Sequence, residues 1–297
     1  MPLTIQPCAL TIAGSDSGGN AGVQADLRAF HAYGLHGCTV FAALTAQNPF
    51  AVSAIHDVPP DFVAAQLDAV LGVYDIRALK TGMLSSAAVI ETVAAHLERH
   101  PEIQKVIDPV MIATSGAKLI ADDARTALTE RLLPLATLIT PNLPEAELLA
   151  GGDLSSAARA ADVARAEELA RALRNKFGCA VLVKGGHGAG DAAVDVLDDG
   201  VSIHRFAQPR LANPVSTHGT GCSLAAALAA ELALGHDLPT AVAGAKAYVH
   251  EAIRTSYLVG EKCGVLGFTP RFACMDGHNL LNYGKTADGQ WFGGKAT

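Results

Sequence analysis

The sequence predicts an α/β protein, a three-layer α/β/α sandwich whose central sheet is mostly parallel and carries antiparallel strands at one end. Short β-rich runs alternate with longer helical patterns along the chain, which is typical of βαβ units. Several β-rich runs are continuously apolar, as in strands buried on both faces of a parallel sheet. Two short β-rich runs flank an Asp-Asp-Gly turn at 198–200, and this hairpin signal predicts the antiparallel end.

The β-rich runs and the amphipathic segments give the predicted elements in chain order. Strands are predicted at 8–13, 38–44, 77–82, 105–110, 137–141, 180–186, 194–197 and 201–206. Helices are predicted at 20–33, 59–74, 85–99, 121–133, 155–177, 219–234 and 238–259, where apolar residues recur at helical spacing. In the third helix Val89, Val93 and Leu97 share one face, and Ser85 or Ser86 can cap the start.

The chain is expected to form one domain. Its 297 residues contain no linker, repeat or low-complexity tract, so residues 1–263 are predicted to fold together. The segment 264–297 is rich in Gly, Asn, Asp and aromatic residues and shows no clear period. It is predicted to be an appendage of the same domain or a partly ordered tail.

Composition excludes several classes of protein. Half of the residues are hydrophobic and 17% are charged, which argues against a disordered chain. The 22 Lys and Arg against 29 Asp and Glu give a net charge of −7, so neither a nucleic acid nor an anionic membrane is expected as a partner. No apolar run reaches the roughly 18–20 residues of a membrane span.

The N-terminus and the cysteines indicate a cytoplasmic protein. No Lys or Arg precedes the first short apolar run, so it does not resemble a signal peptide. The six cysteines are scattered without a CxxC pair, which leaves a zinc site or a redox dithiol unsupported. Disulfides are therefore not expected, and most of the cysteines are predicted to be small buried residues.

The strongest local motif is THGTGCSLAAALAAELALG at 217–235. Gly219, Thr220 and Gly221 allow backbone N–H groups to converge at a helix N-terminus, an arrangement that binds phosphate oxygens. Cys222 follows directly, and a thiol at such a position is expected to have a lowered pKa. Alternatively, the glycines form an ordinary strand-to-helix turn and Cys222 packs as a small residue.

A second glycine-rich loop, AGSDSGGNAGVQAD at 13–26, follows the first predicted strand. Its glycine spacing does not fit G-x-G-x-x-G, and the chain contains no G-x-x-x-x-G-K-[ST]. A dinucleotide fingerprint and a P-loop are therefore rejected. The loop lies at the carboxyl end of a strand, where α/β sheets bind ligands, although a flexible turn would explain it as well.

Polar residues also follow the apolar strands. Burying a charge at such a position is costly unless a partner or a ligand compensates, and several of them at the same end of a sheet indicate a site. The polar residues are Gln47, Lys80, Asp108, Asn142, Glu145 and Lys184, and Met83 lies near Lys80.

These motifs together resemble the hydroxymethylpyrimidine/phosphomethylpyrimidine kinases of thiamine biosynthesis, in the ribokinase superfamily. The matching segments occur in family order from about residue 9 to 260. They are LTIAGSDSGGNAGVQADL, FAALTAQN, FVAAQLDAV, KTGML, VIDPVMIATSG, LITPNLPEAELL, VLVKGGH and THGTGCSLAAALAAELALG. The resemblance implies a ribokinase-like fold, ATP as the phosphoryl donor, Mg²⁺ and a homodimer.

The resemblance also implies roles for individual residues. Asp26 and Gln47 correspond to the pyrimidine-binding acid and glutamine, and Ala21, Met83 and Val110 to positions that shape the pocket. Asp108, Asn142 and Glu145 correspond to residues that organise Mg²⁺ and phosphate, with Asp108 and Glu145 as metal ligands, either directly or through water. Lys184 matches the lysine near the ATP phosphates, and Gly219, Thr220 and Gly221 match the anion hole. Cys222 stands where other ribokinases have an aspartate, as the base or as a group that orients the substrate hydroxyl.

Two other functions remain in view. A pyridoxal kinase of the same family is the nearest alternative, but Asp26 and Gln47 favour the pyrimidine, as does the absence of a second cysteine in IATSG at 112–116. A non-catalytic sensor of the pyrimidine phosphate is disfavoured by the presence of Asp108, Glu145, Lys184 and Cys222. His218 matches a structural histidine of the family rather than a base.

Overall fold

The computed structural model describes residues 6–111, 122–152, 163–186, 190–268, 282–285 and 291–294. The strands are β1 (Cys8–Gly14), β2 (His36–Asn48), β3 (Ala51–Asp57), β4 (Ile76–Thr81), β5 (Gln104–Ile107), β6 (Leu138–Ile139), β7 (Ala180–Val183), β8 (Ala192–Asp198), β9 (Ile203–Pro209), β10 (Tyr257–Val259), β11 (Cys263–Val265), β12 (Asn282–Lys285) and β13 (Trp291–Gly294). The helices are α1 (Gly22–Ala32), α2 (Pro60–Leu71), α3 (Ala87–Leu97), α4 (Asp122–Ala127), α5 (Leu143–Ala150), α6 (Val163–Phe177), α7 (Thr220–Ala233) and α8 (Leu238–Arg254).

The predicted α/β/α sandwich with a mostly parallel sheet is confirmed. One eleven-stranded sheet runs in the order β12-β13-β9-β8-β7-β6-β5-β4-β1-β2-β3. The pairs from β2 to β7 are parallel, and β7, β8 and β9 pair antiparallel around the predicted turn at 198–200. At the opposite end β3 pairs antiparallel with β2, which the sequence did not predict.

Two apolar layers cover the two faces of the sheet. On one face Val63 and Leu67 of α2, Val93 of α3 and Leu173 of α6 pack into a single cluster with strand residues. On the other face Phe30 of α1 packs with the many alanines and leucines of α7 and α8. Both layers are buried, so the central parallel strands β1, β4, β5, β6 and β7 can place polar residues toward solvent or a ligand only at their ends.

Several helix boundaries agree with the sequence. Ser86 caps α3, its Oγ accepting a hydrogen bond from the Val89 N–H, and Val89, Val93 and Leu97 are all buried. The segment predicted as one helix at 121–133 is instead α4 followed by a π-helical turn (Leu128–Leu132) and a 3₁₀ turn (Leu133–Leu135). Pro134 lies in the 3₁₀ turn, where it lacks the N–H that a continuing helix needs.

The C-terminal stretch contains more regular structure than its composition predicts. The predicted last helix ends at Arg254, and 257–259 forms β10, which pairs with β11 in a separate two-stranded sheet. Beyond residue 264, β12 and β13 pair with each other, and β13 joins the edge of the main sheet through Trp291 opposite Phe206. Part of the segment expected to be an appendage thus extends the central sheet.

Candidate active site

A buried ion pair lies at the carboxyl ends of the parallel strands. Lys184, directly after β7, places Nζ 2.8 Å from Oδ1 of Asp108, which follows β5. The Thr140 hydroxyl donates to the same oxygen at 2.9 Å. Burial acts to lower the pKa of Lys184, but the Asp108 and Glu145 carboxylates outweigh it and leave the pKa raised. Lys184 therefore carries its positive charge here.

Asn142 and Glu145 form a capping box at the start of α5. The Asn142 side chain accepts from the Glu145 N–H at 2.9 Å, and a Glu145 oxygen accepts from the Asn142 N–H at 2.8 Å. A parallel bridge between Asn142 and Lys184 holds this turn beside the ion pair. Burial raises the pKa of Glu145 to about 7, with Lys184 opposing the rise and Asp108 adding to it. Glu145 is therefore only partly ionised at neutral pH, and further positive charge would favour its ionised form.

The predicted anion hole adjoins this ion pair. Gly219 caps α7 in a left-handed conformation, with φ of +86°. A Cβ atom built on Gly221 would lie 3.8 Å from Lys184 Nζ and 3.9 Å from Asp108 Oδ2. The first turn of α7 thus presents its N–H groups, with Thr220 between the two glycines, to the space that Lys184 and Asp108 border.

Cys222 lies in this first turn and is partly exposed. The Gly22 N–H, at the start of α1, hydrogen-bonds to its thiol. The expectation of a lowered pKa is wrong: the pKa of the thiol is raised, first by burial and then by the Asp26 and Asp108 carboxylates, which outweigh Lys80 and the Gly22 N–H. Without ligands the side chain is a neutral thiol.

The first loop joins the predicted pyrimidine-binding residues to the sheet. The Ser17 hydroxyl donates to the Gln47 carbonyl at 2.7 Å and accepts from the Gln47 N–H at 2.8 Å. The Thr45 hydroxyl donates to Gln47 Oε1 at 3.2 Å. Ala21 ends the loop as the N-cap of α1. Gln47 on β2 is therefore hydrogen-bonded to the loop that Ala21 ends.

Met83 and Val110 follow β4 and β5 at the same end of the sheet, and both are partly exposed. The Met83 carbonyl accepts from the Gly14 N–H at 3.1 Å, and the Met83 side-chain methyl would lie 2.9 Å from a Cβ built on Gly14. The Val110 N–H donates to the Asp108 carbonyl at 2.8 Å. The segment at 112–116, used above against a pyridoxal kinase, lies outside the described residues.

Asp26 is placed differently from a residue of an open pocket. Its side chain is fully buried, and Oδ2 accepts from the Thr11 hydroxyl at 2.6 Å and from Lys80 Nζ at 2.9 Å. No group of the described residues hydrogen-bonds to Oδ1. Lys80 was visible in the sequence only as a polar residue near a strand end, without a partner or a role. The substrate contact of Asp26 stays a prediction.

Two carboxylates are available for a metal ion. No three His, Cys, Asp or Glu side chains of the described ranges converge into a metal-binding cluster. Asp108 and Glu145 are hard oxygen donors that interact electrostatically in one buried site. Mg²⁺ is commonly bound through one or two carboxylates together with waters and substrate phosphates. This donor set fits such an ion.

Comparison with known proteins identifies the family. The profile of the phosphomethylpyrimidine kinase family matches residues 16–267. The chain belongs to this family. The hydroxymethylpyrimidine/phosphomethylpyrimidine kinase of Synechococcus elongatus is 48% identical over 268 residues, covering 90% of this chain and 99% of that protein.

A second relative is longer than this chain, and a solved structure has the same fold as this chain. The thiamine biosynthesis bifunctional protein ThiED of Geobacter sulfurreducens is 48% identical over 255 residues, 86% of this chain, which spans about half (51%) of that protein. The ADP complex of Bacillus subtilis pyridoxal kinase superposes with a TM-score of 0.80 at 33% identity, covering 91% of this chain and all of that one. The ribokinase-like fold implied by the resemblance is thereby confirmed.

Among the described residues, no helix has both the length and the apolar character that a bilayer crossing demands.

Proposed function

We propose that this chain phosphorylates 4-amino-5-hydroxymethyl-2-methylpyrimidine with ATP and then phosphorylates the monophosphate to the diphosphate, as in thiamine biosynthesis. One observation carries the proposal within the family: the first turn of α7 adjoins the Lys184–Asp108 ion pair, and its Cys222 thiol contacts the start of α1, where the first loop ends. The residues predicted to bind the phosphoryl group and the first loop thus both lie next to Cys222.

ATP is the proposed donor and Mg²⁺ the proposed metal. A pyridoxal kinase of similar fold binds ADP, which supports an adenine nucleotide here. Asp108 and Glu145 would hold the metal, directly or through water, and the ion would supply positive charge to the phosphates. Because Glu145 has a pKa of about 7, added positive charge favours its ionised form.

The chain's own residues account for the rest of the transfer. The N–H groups at 219–221 and the Lys184 ammonium stabilise the phosphoryl oxygens, where charge concentrates in a loose transition state. The first loop, Gln47 and the buried Asp26 orient the pyrimidine. Cys222 either accepts the proton of the attacking hydroxyl or orients it. Phosphorylation of the monophosphate needs less deprotonation, since the acceptor is already a phosphate.

Product analysis tests the proposal. The protein is incubated with ATP, Mg²⁺ and hydroxymethylpyrimidine, and the mono- and diphosphates are separated by chromatography. We expect both products in sequence. A parallel assay with pyridoxal addresses the alternative that the likeness to a pyridoxal kinase raises. A strong preference for pyridoxal would overturn the pyrimidine assignment, and ligand binding without ATP turnover would support the sensor.

We also propose a homodimer in the cytoplasm. The β2–β3 hairpin projects at the sheet edge, and every residue of β3 is exposed. Large apolar side chains are exposed on it and at the start of α2, namely Leu44, Phe50, Val52, Ile55 and Phe62. An exposed apolar edge of this kind is a typical protein interface, and a second copy of this chain is the occupant that the family resemblance implies.

A further inference from the structure

Asp16 occupies an unusual place in the first loop. It is 2% exposed although it lies in a loop. Its Oδ1 accepts from the Gly18 N–H at 2.8 Å, and its Oδ2 accepts from the N–H groups of Asn20 and Ala21 at 2.9 and 2.8 Å. One carboxylate therefore satisfies three backbone donors and closes the loop around itself.

The backbone of this loop reaches the anion hole. A Cβ built on Gly219 would lie 1.9 Å from the Asn20 carbonyl oxygen and 3.7 Å from the Ala21 Cα. The space that a side chain at 219 would need is thus filled by the first loop. The backbone of the first loop thus contacts the backbone of the predicted anion hole. This contact sets the distance between the two segments.

A contact between side chains also crosses between the two loops. His218, directly before Gly219, places Nε2 3.8 Å from Asp16 Oδ2. No residue of the described ranges hydrogen-bonds to this buried nitrogen, so Asp16 is the one acidic group that the contacts give it. The His218 N–H donates to the Ser216 hydroxyl at 3.2 Å, which fixes the approach of the histidine.

We propose that Asp16 is a positioning residue of the transfer reaction, which shapes the first loop and, through His218, fixes its distance from the anion hole. This proposal rests on the proposed kinase function. In-line transfer requires the acceptor oxygen and the phosphoryl group to be held at a set separation, and a misplacement of about 1 Å can cost about 100-fold in rate. Neither Asp16 nor His218 needs to touch a substrate for this role.

Hydrogen exchange followed by mass spectrometry tests the contact without relying on activity. We expect Asp16→Asn to speed amide exchange in the peptide around 217–222, and His218→Asn to speed it in the peptide around 16–21. Asp237→Asn is the matched control, because Asp237 also accepts a backbone N–H, that of Thr240 at 2.9 Å, at the start of α8. It should change neither peptide. Faster exchange confined to the substituted loop would overturn the proposal.

Steady-state kinetics with hydroxymethylpyrimidine test the consequence. Asp16→Asn should lower kcat at least about tenfold while the KM for ATP changes less than about threefold, since positioning acts on the acceptor. The double variant with His218→Asn should lose less than the two single losses combined. If Asp16→Asn does not fold, His218→Asn alone must lower kcat. Parent-like kcat in both, with turnover intact in the parent, contradicts the proposal.

Discussion

At the scale of single residues, Cys222 is where two structural influences oppose each other. Its position at the start of a helix favours the thiolate, whereas burial and two nearby carboxylates favour the thiol and raise its pKa. A raised pKa means that only a small fraction is ionised at neutral pH, so a base role requires kcat to increase with pH. A purely orienting thiol would show no such dependence.

Replacement of Cys222 separates these roles. Cys222→Ala should lower kcat by about 100-fold if the sulfur accepts the proton, since general-base contributions are typically about 10²–10⁴-fold. The KM for ATP should change little. The measurement is kcat from pH 6.5 to 9 for the parent, the alanine variant and Cys222→Ser. Turnover of the alanine variant within a few-fold of the parent would eliminate the base role.

Glu145 makes stability depend on pH in the metal-free protein. Its pKa of about 7 when folded lies above the ordinary value of 4.5, so the folded state binds the proton more tightly. This contribution to stability is fully present below about pH 4.5 and is lost as the pH rises to about 7. Glu145→Gln cannot ionise and preserves the capping box. Its free energy of unfolding should therefore exceed the parent's increasingly across this window, by up to about 3 kcal/mol.

Urea unfolding from pH 4.5 to 8, without metal or nucleotide, measures this difference. Glu147→Gln is the control, because Glu147 is also buried on α5 but accepts two hydrogen bonds from Arg165, both at 2.7 Å. Breaking that pair should destabilise the protein at every pH in the range. A constant difference between Glu145→Gln and the parent would show that Glu145 does not titrate in this window.

At the scale of elements, the helices and strands that the sequence predicts have a buried face, although α5 also has one and is not predicted. β3 has none, since all seven of its residues are exposed, and its hydrophobic pattern therefore gave no signal. The residues of the α5 capping box, Asn142 and Glu145, are recognisable in the sequence. The family resemblance assigns them to Mg²⁺ and phosphate rather than to the start of a helix. The same turn lies beside Lys184, and its role toward a ligand stays a prediction.

The predicted anion hole contains a contact that the sequence does not reveal. The sequence explains glycine at 219 by backbone N–H groups that converge at a helix N-terminus. In the structure a side chain there would also meet the Asn20 carbonyl of a loop about 200 residues earlier in the chain, and no local pattern reveals such a contact. The polar residues at the strand ends lie close together, because the carboxyl ends of parallel strands share one edge of the sheet. The burial of Asp26 could not be predicted in this way, because it depends on packing across three elements.

Gly219→Ala tests this arrangement of two elements. The residue combines a φ of +86° with an obstructed Cβ position, whereas Gly235, at the end of α7, has a φ of +88° and open space around its Cβ position. Gly235→Ala should cost only the conformational penalty, about 1–2 kcal/mol of stability, and retain activity. Gly219→Ala should lower kcat by at least about 100-fold. Similar activity in the two variants, measured on folded protein, would show that the loop contact is unimportant.

At the scale of the whole molecule, the two edges of the sheet differ in whether further strands cover them. One edge is extended by β13 and β12 from the C-terminal stretch. The other ends in β3, all of whose residues are exposed and whose outer edge pairs with no strand of the described ranges. Gln47 lies on β2 within this hairpin and pairs with Val52. A partner that covers the hairpin would therefore also hold a predicted substrate-binding residue in place.

The proposed dimer can be disrupted at this edge. Phe50 and Ile55 are 68% and 48% exposed, and Phe50→Glu with Ile55→Lys adds charges that are costly to bury in an interface. Sedimentation velocity should give twice 30.5 kDa for the parent and 30.5 kDa for the double variant. The double variant should also have a higher KM for the pyrimidine.

Val201→Lys is the control, because Val201 is 92% exposed in the turn between β8 and β9. A parent that sediments as a monomer at tens of micromolar, or a double variant that stays dimeric, would contradict this interface, and loss of association in the control would show that the effect is not specific to the hairpin.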